Sequence, residues 1–94
     1  MEISFDPDKR TKNLQRHGLD LADAAQLLSR PCVELPDERF DYDEDRWVSV
    51  GLLDRRVVVC VWADWGNVHR VISLRRATAN EQDWYFREIG GASG

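Results

Sequence analysis

Between residues 47 and 75 the sequence holds three successive runs dense in valine, and this stretch restricts the fold more than any other. Residues 47–53, 56–63 and 68–75 each have strand length and β-branched content. Asp54 and Arg55 leave room for only a tight two-residue turn, although the glycine such turns favour is missing. Asp64, Trp65, Gly66 and Asn67 supply the second turn. The expected result is a meander of three antiparallel strands. Its middle strand, with Val57, Val58, Val59, Cys60, Val61 and Trp62 in a row, is apolar on both faces. One face must then be covered by helices, and the other by further chain or by a partner.

The helices are announced by their caps. Asp6 before Pro7 predicts a helix start, because the carboxylate accepts orphan amide hydrogens and proline loses nothing at the first helical position. Gly18 after His17 predicts the stop, giving a helix over 7–17 behind a short strand at 1–5. Asp20 and Asp23 resemble a capping pair ahead of Leu21, Ala24, Ala25, Leu27 and Leu28, whose spacing predicts a second amphipathic helix ended by Ser29, Arg30 and Pro31. Thr78 with Glu81 forms a capping box for a third helix that ends near Gly90. The expected class is α+β: a small antiparallel sheet with two N-terminal helices crossing it and one C-terminal helix near its edge. A single domain spans 1–90, with a flexible tail at 91–94.

Ninety-four residues, 43% of them apolar and four of them tryptophan, suit one folded core. The N-terminus lacks the basic and apolar regions of a signal peptide, and the longest apolar run is far too short to span a bilayer, so the expectation is a soluble, cytoplasmic protein without membrane contact. Cys32 and Cys60 have no His or Cys neighbour at ligand spacing and read as buried thiols, and no metal or cofactor motif is present. The net charge of −4 opposes polyanion binding until it is located. Residues 34–46 hold seven acids and two bases, a balance of −5, and the rest of the chain is +1. An acidic loop thus leaves room for a basic cleft elsewhere.

Two groups of residues suggest such a cleft. In the strand 68–75, strict alternation places His69, Val71, Ser73 and Arg75 on one side and Val68, Arg70, Ile72 and Leu74 on the other. Arg76 follows at the strand exit, and the free amides of residues 79–81 add partial positive charge. The plain alternative is that arginines at a strand end are solvated surface. In the first helix Lys9, Asn13 and either Arg16 or His17 share one face, where Leu14 is the only large apolar residue. The helix dipole favours the cationic form of a histidine at its C-terminus, a state suited to a general acid or a phosphate ligand; the alternative is a residue that only assists the cap. Glu81 and Tyr85, one turn apart, offer a carboxylate and a phenol, each with a structural explanation as well. Trp84 and Phe86 point about 200° apart on their helix, so both cannot enter one core face. Trp47 and Trp62 read as sheet packing, and Trp65 as either a roof over the core or a surface for stacking a base.

The ordered set Phe5-Asp6-Pro7, Lys9, Asn13, Arg16-His17-Gly18, EDRWVSVG over 44–51, Arg70-Val71-Ile72-Ser73, Arg75-Arg76-Ala77-Thr78, Glu81 and Tyr85 resembles the BrnT family of type II toxins. It departs from the family pattern in Arg16, where lysine is common, and in Leu74, where alanine is common. The resemblance implies a RelE-like fold and RNA cleavage without a cofactor. It also implies neutralisation by a BrnA-type ribbon-helix-helix antitoxin, with operator DNA bound through that antitoxin. Cutting RNA at such a site needs no metal: the ribose 2′-hydroxyl attacks the adjacent phosphate while side chains move the protons and stabilise the charge. On this reading His17, Arg70, Arg75, Glu81 and Tyr85 are the catalytic candidates, and Lys9, Asn13, Arg16, Ser73 and Arg76 bind substrate. The competing reading is a non-catalytic, partner-binding subunit of a transcription-regulating complex.

Overall fold

The computed structural model describes residues 1–90, so the expected tail at 91–94 lies outside the described residues. The fold is α+β, with one five-stranded sheet: β1 (Glu2–Ser4), β2 (Val33–Pro36), β3 (Arg46–Leu53), β4 (Arg56–Asp64) and β5 (Val68–Arg76) in the order β1-β5-β4-β3-β2. The meander β3-β4-β5 forms its centre, as the valine-rich runs require.

Two expectations about the sheet are corrected. It is mixed rather than purely antiparallel, because β1 lies parallel to β5, from Glu2 opposite Val68 to Ser4 opposite Arg70. The meander leaves the outer edge of β5 open, and the N-terminal strand fills it. The first residues of the acidic segment also form a strand, β2, antiparallel to β3. Its four residues include Glu34, Leu35 and Pro36, all exposed. Such an edge strand carries neither alternation nor high β propensity, and its proline is tolerated because an edge amide needs no partner.

The helices are α1 (Pro7–His17), α2 (Ala24–Leu28) and α3 (Ala79–Gly90). The second helix is shorter than expected: a 3₁₀ turn at Leu21–Asp23 leads into only five α-helical residues. The Ser29 hydroxyl donates to the Gln26 carbonyl at 2.9 Å and Pro31 follows, which together end it. Among the described residues no helix is long and apolar enough to cross a membrane.

Each sheet face has its own core. On the first, Leu53, Val58, Cys60, Trp62, Val71 and Leu74 pack against Leu21, Ala24, Leu27 and Leu28. Gly51 permits this approach, since a Cβ there would lie 3.1 Å from the Cys32 Cβ and 3.5 Å from Leu27. On the second face Val50, Val57 and Val59 pack against Ala77 and Tyr85, with Trp84 partly buried beside them and Phe86 exposed. The third helix therefore covers part of a face, on the side of β2, rather than merely bordering the sheet.

A β-bulge corrects the expected alternation in β5. Val61 pairs with Ser73 but Trp62 pairs with Val71, which leaves Ile72 as the extra residue. Val71 and Leu74 consequently reach the same core. His69, whose ring centroid is 4.1 Å from that of Trp62, belongs to that first face as well. Ser73 and Arg75 face the other side, together with their partners Val61 and Val59. Leu74 is fully buried in the first core, where it adds packing and does not crowd the open face.

The β3–β4 turn holds Asp54 and Arg55 at φ of 49° and 67°, the left-handed conformations of a two-residue hairpin made without glycine. Arg55 is exposed, so relieving this strain costs no packing. Arg55→Gly is expected to stabilise the domain by about 1 kcal/mol and raise the melting temperature by roughly 4–8 °C. A lower melting temperature by circular dichroism would refute this account of the turn.

Candidate functional site

The geometry begins with α1. The Asp6 carboxylate accepts the amides of Asp8 at 2.8 Å and Lys9 at 3.4 Å, and Gly18, at φ 69°, closes the far end by donating to the Leu14 carbonyl at 2.9 Å. Because β1 is parallel to β5, the chain leaving Ser4 continues along the β5 edge and lays α1 beside the part of β5 that β1 does not reach. Asn13 fastens the two. Its amide nitrogen donates to the Leu74 carbonyl at 2.9 Å and the Leu19 carbonyl at 2.8 Å, and its oxygen accepts the Leu74 amide at 3.1 Å. Only 7% exposed, Asn13 behaves as one extra residue of strand pairing.

Next to this attachment Lys9, Lys12, Asn13, Arg16 and His17 from α1 meet Ile72 and Ser73 from β5 around a cleft of about 320 Å³. No carboxylate lines it. Among the described residues, Lys9, Lys12 and Arg16 form no ion pair. A larger concavity, about 590 Å³, lies in the acidic segment among Asp37, Glu38, Asp41, Glu44 and Asp45, whose charge repels a polyanion.

Two residues beyond Ser73, on the same face, Arg75 meets Glu81 in a bidentate pair with distances of 2.8 and 2.9 Å. Glu81 also completes the capping box: its carboxylate accepts the Thr78 amide at 2.8 Å, and its own amide donates to the Thr78 hydroxyl at 3.2 Å. Hydrogen bonds from Arg75, more than any other cause, hold the Glu81 carboxyl down at about 2. It is thus ionised at neutral pH and a poor proton acceptor. Tyr85 is 3% exposed, and burial pushes its phenol up.

Arg70 lies toward the other end of β5. One of its nitrogens donates to the Ser4 hydroxyl at 3.3 Å, and its guanidinium sits 4.8 Å from the centroid of the Trp65 ring. The Trp65 indole donates to Glu44 at 2.9 Å; Glu44 also accepts from Arg46 at 3.1 Å. These bonds, chiefly that from Trp65, lower the Glu44 carboxyl, and the charge of nearby Lys9 contributes.

The fold therefore gathers Lys9, Asn13, Arg16, His17 and Ser73 around one cleft. Arg75 and Glu81 continue it on the Ser73 side of the sheet, and Arg70, two residues before Ile72 on β5, carries the Trp65 ring beside it. Arg76 is not part of it. Paired with Val58, it turns to the first face and lines a separate hollow with Gly18, Leu19, Asp23 and Arg56. Lys12 was missing from the sequence-based set, though its position three residues after Lys9 places it on the same helical stripe. No comparable signal existed for Glu44, which reaches the site from a loop.

Such a surface, cationic and edged by an aromatic ring, can hold a phosphate backbone, and its histidine and arginines have the chemistry to move protons and stabilise charge. No curated protein matches the chain. A family model described as the ribonuclease toxin BrnT of a type II toxin-antitoxin system matches residues 5–81, which takes in both the α1 cleft and the Arg75–Glu81 pair. With most of its length and every element of the cationic face inside that match, the chain belongs to the BrnT family of type II toxin-antitoxin ribonuclease toxins.

Proposed function

We propose that the chain is an endoribonuclease that cuts RNA by 2′-hydroxyl attack on the adjacent phosphate, in the cytoplasm, until a BrnA-type ribbon-helix-helix antitoxin neutralises it and carries the complex to operator DNA. We also read the fold as RelE-like. The observation that carries the proposal is the α1 cleft, where three unpaired cations and His17 converge beside Ser73 with no carboxylate among them. A polyanion is the ligand that such a surface satisfies.

In the reaction, the 2′-oxygen forms a bond to phosphorus and loses its proton to a base, while the bond from phosphorus to the 5′-oxygen breaks and that oxygen gains a proton. The products are a 2′,3′-cyclic phosphate and a 5′-hydroxyl. His17 is the proton-transfer group, because it is the titratable side chain in the cleft whose ordinary range lies near neutrality. Arg75 stabilises charge on the phosphoryl oxygens, and Arg70, Lys9, Arg16 and Ser73 hold the flanking backbone. Glu81 orients Arg75, Asn13 fixes α1, and Tyr85 supports α3 from the core.

Purified protein should cut single-stranded RNA and leave cyclic-phosphate ends, and a single 2′-deoxy substitution at the cut nucleotide should block cleavage there. Ends bearing 3′-hydroxyl groups, or cleavage that survives the deoxy substitution, would exclude this mechanism. Binding of RNA and antitoxin with no cleavage at all would favour the non-catalytic reading. Induction with and without the adjacent gene, followed by RNA-end mapping, tests neutralisation in the same terms.

A further inference from the structure

Trp65 stands at the tip of the β4–β5 hairpin and belongs to neither core. The sequence left two uses for it, roof over the core or stacking surface. Its 52% exposure removes the first. A single exposed apolar residue is common on protein surfaces and by itself means little. This ring, however, is held. Beneath it the turn is fixed: the Trp65 amide donates to the Val68 carbonyl at 3.0 Å, and the Gly66 amide, at φ 76°, donates to the Asp64 carboxylate at 2.9 Å. The indole N–H is anchored on Glu44 at 2.9 Å, and the Arg70 guanidinium lies 4.8 Å from the ring centroid. With Arg70 over the ring and Glu44 at its N–H edge, the ring is still half exposed and has surface left for a ligand.

The surroundings specify the ligand. Among the described residues the Arg70 side chain makes one hydrogen bond, at 3.3 Å to Ser4, so most of its donors remain for a phosphate. Lys9 lines the α1 cleft with Ile72 and Ser73, which lie two and three residues along β5 from Arg70. Arg46 pairs with Glu44 at 3.1 Å and offsets the carboxylate that holds the indole N–H. An exposed aromatic ring beside an arginine with free donors, next to a cationic groove, is the arrangement that binds a single-stranded nucleic acid by stacking one base and holding the phosphate beside it.

We propose that Trp65 is a nucleobase-stacking residue of the RNA-binding surface, taking an unpaired base next to the phosphate contacted by Arg70 and Lys9. The proposal rests on the ribonuclease reading of the α1 cleft and adds a subsite to it. Because any base offers a π face, this subsite contributes affinity and register more than sequence choice.

The test uses a fluorescein-labelled, single-stranded 12-nucleotide RNA with 2′-fluoro sugars, which lacks the internal nucleophile. Trp65→Ala should raise its Kd by about fivefold to a hundredfold while the melting temperature holds, and Trp65→Phe should stay within about threefold of wild type because stacking survives loss of the indole N–H. With cleavable RNA, Trp65→Ala should raise KM and spare most of kcat, since a stacking contact made equally in the ground and transition states contributes uniform binding. An unchanged Kd in Trp65→Ala overturns the proposal whatever that variant does to antitoxin binding, and so does a Trp65→Phe variant as weak as alanine. Those results leave the ribonuclease reading standing; wild-type protein that does not bind the probe overturns both.

Discussion

Replacing Asn13 with alanine is expected to destabilise the domain by about 2–4 kcal/mol, because it strands both the amide and the carbonyl of Leu74 in a buried setting. The Leu19 carbonyl loses its partner as well. A domain of this size has roughly 5–15 kcal/mol in total, and the melting temperature should fall by on the order of 10–25 °C. Asn13→Asp is not expected to rescue it. Aspartate can still accept the Leu74 amide, but its second oxygen would face two carbonyls where a donor is needed. Thermal melts followed by circular dichroism measure the effect. An Asn13→Ala variant that melts within 2–3 °C of wild type (about 0.5 kcal/mol or less) would show that α1 is held mainly by other contacts. The same variant should also bind the 2′-fluoro RNA poorly, since α1 carries Lys9, Lys12, Arg16 and His17 into the cleft.

On the catalytic side, Arg75→Ala is expected to lower kcat for RNA cleavage by about 10²–10³-fold, as for loss of one charge-stabilising donor, and His17→Ala by at least about 10²-fold. Arg75→Lys should recover little, since a lysine cannot reproduce the two-point pairing with Glu81. Folding should survive: the Arg75–Glu81 pair is more than a third exposed, so its own worth is at most about 1 kcal/mol after solvent screening. Glu81→Gln should reduce kcat less than Arg75→Ala, because it misorients the guanidinium without removing it. Equal losses in Glu81→Gln and Arg75→Ala would assign Glu81 a direct part in the chemistry. No loss in either His17→Ala or Arg75→Ala would remove both from the catalytic set.

The depressed Glu81 carboxyl also fixes a sign. Its folded value, about 2, lies below the ordinary 4.5, so the stabilisation from Arg75 is complete above that ordinary value and is lost as the pH falls toward 2. Wild-type protein should therefore lose more stability between pH 5 and pH 3 than Glu81→Gln does. Identical acid dependence in the two proteins would contradict the pairing. For the same reason, Glu81 cannot be the group behind any activity transition near neutral pH.

The local elements were legible because their signals are local. Asp6-Pro7 and Gly18 bound α1 at the expected residues, Thr78 and Glu81 cap α3, and the valine-rich runs gave β3, β4 and β5. The Arg75 neighbourhood was legible in part, since Glu81 reaches it through a capping box visible as two letters three apart. Strand β2 was not legible: an exposed four-residue edge strand has no inward-outward pattern to detect. Alternation did put Ser73 and Arg75 on one face, but it did not give the facing of His69 to Val71 relative to them, because a bulge is fixed by how two strands meet and strict alternation fails at one extra residue.

By itself, the sequence determined the inventory: the three central strands and the caps of α1 and α3, that the net negative charge is confined to one segment, and that arginines, lysines and a histidine are available for a phosphate-bearing ligand. Hydrogen-bonded caps and side-chain periodicity act over a few residues, which is why they can be read without coordinates. Tertiary structure alone decided which of those residues meet. The parallel pairing of β1 with β5 directs α1 along the β5 edge, Asn13 locks it there across 61 residues of sequence, and only then do His17 and Ser73 share a cleft. The bulge at Ile72 turns Val71 and His69 into the first core and away from the face of Ser73 and Arg75. Contacts of that separation depend on sheet order and register, which are set by the whole core rather than by any segment of the chain.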